Sequence, residues 1–250
     1  MITDQNFYLF AIPAVLLTGV SKGGFGGGLG GIAVPLMALA ISPVQAAAVL
    51  LPVLVLMDFF GARVYWGKWD TPNLKIIMPG AMIGIVLGTL TFGWFSDVAI
   101  RILLGGISIL FVLNTWLGVA LRQTQCGRSV AKGTFWSTIA GFTSFIAHTG
   151  GPPLMIYLLP QQLDKVAFVA TINVFFAVSN AVKLFAYGGL GQFSMLNLTT
   201  SLALAPLVPI GVWLGVWLQI RVNHLWFYRI TQVCLLLTGI QLIYQGVYSK

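Results

Sequence analysis

The residues with the most unusual chemistry in this chain form a glycine-rich run inside an apolar stretch. Residues 21–31 read SKGGFGGGLGG, so seven glycines stand beside a single lysine, Lys22. Glycine costs about 1 kcal/mol per residue relative to alanine inside a helix, so the run predicts a helix break. Irregular backbone at membrane depth is tolerated only where it is buried in protein or lines a cavity. The run therefore predicts a cavity with a cation at its edge.

A second interruption falls in the apolar stretch Phe135–Leu159, where residues 147–153 read AHTGGPP. A helix that begins after a break directs N–H groups and a positive dipole end forward, which favours an anion. Successive glycine N–H groups also form concave anion sites. We predict half-helices at Leu29–Ile41 and Pro153–Leu159. The predicted backbone donors to a small anionic substrate are Gly24, Gly26, Gly27, Gly28, Thr149, Gly150 and Gly151. The alternative is that the glycines serve only close helix packing.

Several side chains are candidates for the same substrate site. Lys22 either pairs with the anion or extends to the membrane surface, as long cationic side chains do. His148 either donates to the anion or forms a hydrogen bond between helices. Lys183 lies near the end of its apolar segment and is expected to extend to the surface. The other polar candidates, for substrate contacts or for hydrogen bonds between helices, are Asn173, Asn180, Thr143 and Ser144.

Asp58 is an acid inside an apolar segment, and such residues are functional candidates by default. It either carries a coupling proton or neutralises Arg63 or Lys22 as a structural pair. The residue 122 positions later is Asn180, which does not titrate. A symmetric proton relay is therefore not predicted.

The sequence lacks the arrangements typical of an enzyme or a metal centre. The two histidines, His148 and His224, lie far apart, and neither HExxH nor GxSxG occurs. Cys126 and Cys234 have no metal-ligand spacing and suggest no disulfide framework. We therefore predict that the protein is not an enzyme and binds no metal or cofactor.

The composition indicates a helical membrane protein that crosses the bilayer many times. The 250 residues are 58% hydrophobic and 7% charged, against roughly 25% charged in soluble domains. The net charge of +8 comes mostly from basic residues in short loops, which is an ordinary topology signal. No basic face is available for phosphate contacts, so nucleic-acid binding is not expected.

The apolar segments recur in the same order in two halves. Each half has one broken segment followed by three continuous ones. The continuous segments are Val44–Gly61, Leu74–Trp94, Val98–Leu121, Val166–Tyr187, Leu196–Leu218 and Leu225–Tyr248. The broken segments are Phe7–Ile41 and Phe135–Leu159.

Residue matches support a duplication of this four-segment unit. Gly19 matches Gly141, and Asp58 and Tyr65 match Asn180 and Tyr187, all at an offset of 122. We predict a first transmembrane repeat at residues 1–121, a cytoplasmic linker at 122–132 and a second repeat at 133–250. Corresponding interrupted segments in two halves are a pointer to a transporter site.

Loop charges then orient the halves. The basic residues that flank or fill the predicted cytoplasmic connections are Arg63, Lys68, Lys75, Arg122, Arg128, Lys132, Arg221 and Arg229. This placement requires each broken segment to enter and leave on one side of the membrane. We predict an all-α inverted repeat, in which each half is a re-entrant helical hairpin plus three transmembrane helices. The alternative is eight full crossings and a parallel repeat.

The glycine run of residues 23–28 followed by Pro35, the stretch from Gly141 to Pro153, and the duplicated layout resemble the sulfite exporter TauE/SafE family of bacterial membrane transporters. The resemblance covers essentially the whole chain. It departs from the pattern in the second half, where residues 144–152 read SFIAHTGGP. It implies a small sulfur-containing anion, such as sulfite or an organosulfonate, as substrate, and a bacterial inner membrane as location.

The function predicted from these observations is transport of a small anion, with export preferred. Expelling one negative charge from a negative cytoplasm is favoured by about 2.3 kcal/mol per 100 mV, so export needs no coupling ion. Two alternatives stay open: an anion channel, and a structural or assembly membrane protein without substrate. The expected partners are the small anion and the lipid bilayer, and a homo-oligomer is compatible with the sequence.

Overall fold

The computed structural model describes residues 1–2, 4–27, 33–91, 97–116 and 127–248. Gly28 and residues 121–126, which belong mostly to the predicted linker, lie outside these ranges. The described helices run as follows: α1 Gln5–Gly24, α2 Ala33–Met37, α3 Pro43–Val64, α4 Thr71–Leu90, α5 Asp97–Trp116, α6 Val130–Ala147, α7 Gly151–Leu158, α8 Lys165–Gly189, α9 Met195–Leu204, α10 Leu207–Arg221 and α11 His224–Tyr248. A short 3₁₀ helix, Leu159–Gln161, follows α7.

Five of the described helices are long and apolar enough to cross a membrane, and a sixth crossing results if α9 and α10 count as one span. The five are α1, α3, α4, α8 and α11. Their length matches the roughly 20 apolar residues that a bilayer core requires. The protein is therefore a helical, multi-pass membrane protein, as its composition indicates.

The segment Leu196–Leu218, expected to be continuous, is instead two helices. α9 ends at Leu204 and α10 begins at Leu207, with a bend of 45° between them. Pro206 occupies the junction. Proline has no N–H to donate, and its ring clashes with the preceding turn, so a helix is interrupted at this point. The expectation of an unbroken span was wrong because it gave this proline no weight.

The first break begins later than the glycine count suggests. α1 continues through Gly23 to Gly24, because both glycines lie against the backbone of α10. A methyl group on Gly24 would overlap the carbonyl oxygen of Gly215, and one on Gly23 would overlap that of Val212. The packing interpretation therefore holds for these two glycines. Close approach of the two backbones offsets the intrinsic helix cost of glycine.

Both breaks have the same backbone construction. Gly26 and His148 have left-handed φ angles of 65° and 53°. Gly27 N–H donates to the Ser21 carbonyl at 2.9 Å, and Thr149 N–H donates to the Thr143 carbonyl at 3.3 Å. Each N–H thus closes the end of the helix that precedes its break. The described part of the first half-helix, α2 at Ala33–Met37, ends before the expected Ile41, and residues 28–32 lie outside the described ranges. The second half-helix, α7, is Gly151–Leu158 and therefore begins two residues earlier than expected.

The ends of the broken segments are located by hydrogen bonds. At one end of the bundle, Ile2 N–H donates to Thr200 Oγ1 at 2.9 Å, and Gln45 Nε2 donates to Asn197 Oδ1 at 3.3 Å. The residues before α1 and those that begin α3 thus both contact α9. Chain entry and return of the first broken segment therefore lie at the same end.

The second broken segment starts and finishes near the N-terminus of α4. Arg128, just before α6, donates to Asp70 at 2.7 Å. Tyr157, in the last turn of α7, donates to Asn73 Oδ1 at 3.0 Å, and Asn73 Nδ2 donates to Gln161 Oε1 at 2.9 Å. α6 also packs on α4 through glycines, since a methyl group at Gly84 or Gly141 would overlap the facing backbone.

Candidate functional site

A small internal cavity lies where the two breaks meet α3 and α8. Its volume of about 20 Å³ is room for about one water molecule. A methyl group on Gly151 would lie 3.0 Å from the Gly27 carbonyl oxygen, so the two breaks are in contact. The cavity is lined by Thr18, Lys22, Gly27, Leu54, Ser144, His148, Gly151, Phe176, Asn180 and Lys183.

Lys22 is buried and does not extend to the membrane surface. Only 5% of the residue is exposed, and its ammonium group forms an ion pair and hydrogen bond with Asp58 Oδ1. It also approaches the Leu54 carbonyl at 3.5 Å and lies 5.6 Å from the centre of the Phe176 ring. Lys22 therefore holds a positive charge on the cavity wall.

Asp58 is buried opposite Lys22, with 3% of its surface exposed. Its Oδ2 accepts a hydrogen bond of 2.6 Å from Asn180 Nδ2, while Oδ1 is paired with Lys22. Of the two structural partners that the sequence allowed, Lys22 is the one that the structure shows. Asn180 Oδ1 has no hydrogen-bond partner among the described residues. A buried amide oxygen of this kind is uncommon, since most are satisfied.

Lys183 was expected to extend to the membrane surface, but it points inward and none of its surface is exposed. Its ammonium group donates to the Ser144 carbonyl at 3.0 Å, to Ser144 Oγ at 2.9 Å and to His148 Nδ1 at 3.0 Å. None of these acceptors is a carboxylate. Extension to the surface was the wrong prediction because α8 continues to Gly189 and the second break supplies acceptors at the depth of Lys183.

His148 connects the second break to both neighbouring helices. Its Nε2 lies 3.2 Å from the Ala47 carbonyl oxygen of α3, and its Nδ1 lies 3.0 Å from Lys183 Nζ. A carbonyl oxygen can only accept, so Nε2 carries the proton and Nδ1 is left as the acceptor for Lys183. With this assignment His148 is a neutral imidazole that accepts a hydrogen bond from Lys183.

Three of the predicted glycine donors, Gly24, Gly26 and Gly150, are not among the residues that line the cavity. Gly24 lies against Gly215 of α10, and a side chain at Gly26 would meet Ile172 and Phe168. A side chain at Gly150 would meet the carbonyl oxygen of Ala140. Gly28 lies outside the described residues, whereas Gly27 and Gly151 are part of the cavity wall.

The other predicted donors are engaged within the protein. Thr149 uses both its N–H and its hydroxyl on the Thr143 carbonyl, at 3.3 Å each. Asn173 Nδ2 donates to the carbonyls of Lys22, at 3.1 Å, and Val169, at 3.0 Å. The hydrogen bonds of these two residues go to backbone carbonyl groups at and near the two breaks. The cavity wall therefore combines the side chains of Lys22 and Lys183 with two of the predicted backbone positions, Gly27 and Gly151.

A signal for Lys183 was present in the sequence. Asn173, Asn180, Lys183 and Tyr187 recur at intervals that place them along one face of α8. A polar stripe on an otherwise apolar membrane helix marks the face turned toward the protein interior. Phe176, on the same face, lies beside both Lys22 and Gly27.

A comparison with protein families agrees with this architecture. A family model described as sulfite exporter TauE/SafE matches residues 11–242. The chain belongs to the sulfite exporter TauE/SafE family. The match covers every residue that lines the cavity. No curated protein and no solved structure matches the chain. Within the described ranges of this TauE/SafE protein, no group of three or more His, Cys, Asp and Glu residues could hold a metal ion.

Proposed function

We propose that this protein transports a small sulfur-containing anion, such as sulfite or an organosulfonate, that binds between Lys22 and Lys183. The observation that carries the proposal is the buried ammonium group of Lys183, which has only uncharged acceptors. A buried ammonium group that no carboxylate contacts through a hydrogen bond is costly. An anion bound in the adjacent cavity would compensate it, and Lys22 faces the same space.

The size of the cavity indicates that transport requires a conformational change. Room for about one water molecule is too little for a sulfur oxyanion. The cavity as described is therefore too small for the substrate, and substrate entry must separate some of the cavity walls. The contact between Gly27 and Gly151 joins the two breaks, so a shift of either break would open the cavity.

The proposal includes an inverted repeat that relates the two breaks, with residues 1–121 and 133–250 as the repeated units. Supporting it, equivalent hydrogen bonds recur at an offset of 122. Tyr65 hydroxyl donates to the Gly23 carbonyl at 2.5 Å, and Tyr187 hydroxyl donates to the Phe145 carbonyl at 2.9 Å. The left-handed residues Gly26 and His148 are related by the same offset. Entry and return of each broken segment at one end of the bundle are what re-entrant hairpins require.

The proposed orientation follows from the basic residues near the N-terminus of α4. Arg128 and Asp70 form an ion pair at this end. Lys165, the first residue of α8, donates to the carbonyl of Val222, the residue that follows α10, at 2.7 Å. The positive-inside rule assigns this end to the cytoplasm. With that orientation, export of one negative charge is favoured by about 2.3 kcal/mol per 100 mV. We therefore propose export without a coupling ion, in a bacterial inner membrane.

The experiment is flux of a radiolabelled sulfonate in proteoliposomes, with and without an imposed voltage. Efflux from a negative compartment should increase with voltage, and Lys183→Gln should abolish it. Lys68→Gln is the matched control, because it removes an exposed lysine in the connection between α3 and α4. Saturable, voltage-dependent flux that Lys68→Gln retains supports the proposal. Wild-type flux equal to that of empty liposomes would contradict transport, and flux that does not saturate would favour a channel.

A further inference from the structure

We infer that Asp58 determines the charge of the transported anion and restricts the site to one negative charge. The inference rests on the proposed function, because it assumes that the anion binds between Lys22 and Lys183. It makes Asp58 a specificity-determining residue, in place of the proton carrier considered from the sequence.

The charge of the site can be counted from its hydrogen bonds. The inference takes Lys183 as an ammonium group, because three possible acceptors surround its nitrogen and an ammonium group has three protons to donate. His148 donates through Nε2 to the Ala47 carbonyl and accepts through Nδ1, so it is neutral. Lys22 is paired with the Asp58 carboxylate. Two ammonium groups and one carboxylate leave a single positive charge.

No other charge alters this count within the described part of the chain. Lys22, Asp58 and Lys183 are the charged side chains that are buried there. The remaining polar groups around the cavity, from α1, α6 and α8, are uncharged: Thr18, Ser144 and Asn180. The surrounding apolar walls include Leu54 and Phe176. In such surroundings charge interactions are weakly screened, so an uncompensated unit of charge carries a large energy.

Charge balance therefore predicts the class of substrate. A sulfonate or hydrogensulfite carries one negative charge and leaves the closed site neutral. A dianion such as sulfate or thiosulfate leaves one negative charge buried beside Asp58, which disfavours closure around it. The carboxylate of Asp58 is a fixed negative charge that balances the positive charge of Lys22. It therefore limits how much further negative charge the site accepts.

The contact between Asp58 and Asn180 provides an experiment that separates charge from position. The two side chains share a hydrogen bond of 2.6 Å, and their shapes are nearly the same. Asp58→Asn raises the site charge by one unit, and Asn180→Asp lowers it by one unit. The double variant D58N/N180D moves the carboxylate across the hydrogen bond and keeps the original charge.

The test measures binding of methanesulfonate and of thiosulfate to the purified full-length protein at one fixed pH, where both have constant charge. The wild-type protein should prefer methanesulfonate. Asp58→Asn should shift the ratio of the two affinities toward thiosulfate by about tenfold or more. Asn180→Asp should weaken both anions, and D58N/N180D should restore the wild-type preference.

The outcomes distinguish this inference from the proposed function. A wild-type protein that binds neither anion would contradict the proposed function itself. Binding of both anions with a ratio that Asp58→Asn leaves unchanged would overturn the inference alone. So would a double variant whose ratio equals that of Asp58→Asn. If Asp58→Asn does not fold, as judged by its melting temperature, Asn180→Asp decides the matter: an unchanged methanesulfonate affinity overturns the inference.

Discussion

Lys183 donates a hydrogen bond to His148 across 3.0 Å and thereby connects α8 to the second helix break. Both residues are buried, and neither contacts a carboxylate through a hydrogen bond among the described residues. Asp58, the one buried acid among the described residues, forms its ion pair with Lys22. Lys183 is thus left without a carboxylate partner, and under the proposed function the substrate is its counter-ion. Most of the predictions below depend on this proposal.

The first prediction concerns the stability of the protein without substrate. Lys183→Met should leave the melting temperature in detergent unchanged or raise it, because an apolar group replaces an uncompensated buried charge. The variant should also lose the stabilisation that methanesulfonate gives to the wild-type protein. A clear fall in melting temperature without substrate would indicate that Lys183 stabilises the fold. Stabilisation of the variant by methanesulfonate equal to that of the wild-type protein would show that Lys183 has no role in binding.

The second prediction concerns the ion pair between Lys22 and Asp58. Lys22→Met should destabilise the protein by about 3–5 kcal/mol, because it leaves the Asp58 carboxylate buried without its partner. The double variant K22M/D58N should recover most of this loss, since it removes the charge as well. Chemical unfolding of the three proteins in the same detergent measures the difference. Equal stability of the single and double variants would argue against a buried pair.

The third prediction concerns His148. Its backbone is left-handed at the helix break, and its Nδ1 accepts a hydrogen bond from Lys183. Asparagine tolerates this backbone conformation and offers an oxygen that can accept from Lys183. His148→Asn should therefore retain sulfonate flux, whereas His148→Leu should lose it. Leucine matches neither requirement. Equal flux in the two variants would show that the acceptor is dispensable.

The fourth prediction concerns the contact between α1 and α10. Gly24→Ala should destabilise the protein by about 1–3 kcal/mol, because the added methyl group overlaps the Gly215 carbonyl and forces the helices apart. Gly106→Ala in α5 is the matched control, since nothing lies within 4 Å of the new methyl group. It should stabilise slightly, through helix propensity alone. A loss of stability in both variants would contradict the packing argument.

Much of the fold could be predicted from the sequence, because apolar length and glycine or proline breaks have local causes. The helices α3, α4, α8 and α11 fall on segments that hydropathy identifies. Pro206 was the exception, since its effect depends on a single residue in an apolar stretch. The extent of α1 could not be predicted, because the partner that accommodates Gly23 and Gly24 lies almost 200 residues away in α10.

The site was predictable in part. The two breaks contact each other, and Lys22, His148 and Asn180 line one cavity. The direction of Lys183 was not predictable from its position near a segment end, because its acceptors come from α6 and the second break. The role of the backbone donors also depends on tertiary structure. The N–H groups of Gly27 and Thr149 donate to carbonyl groups in the last turns of the preceding helices.

The most direct measurement of the central claim is the position of a bound anion. Crystals of the protein grown with 2-bromoethanesulfonate would locate the bromine by its anomalous scattering, and the difference density would locate the sulfonate. The account predicts a sulfonate within hydrogen-bond distance of Lys22 Nζ and Lys183 Nζ, in a cavity whose volume exceeds the present value of about 20 Å³. A sulfonate bound elsewhere in the protein, with the cavity between the two breaks still closed, would contradict it.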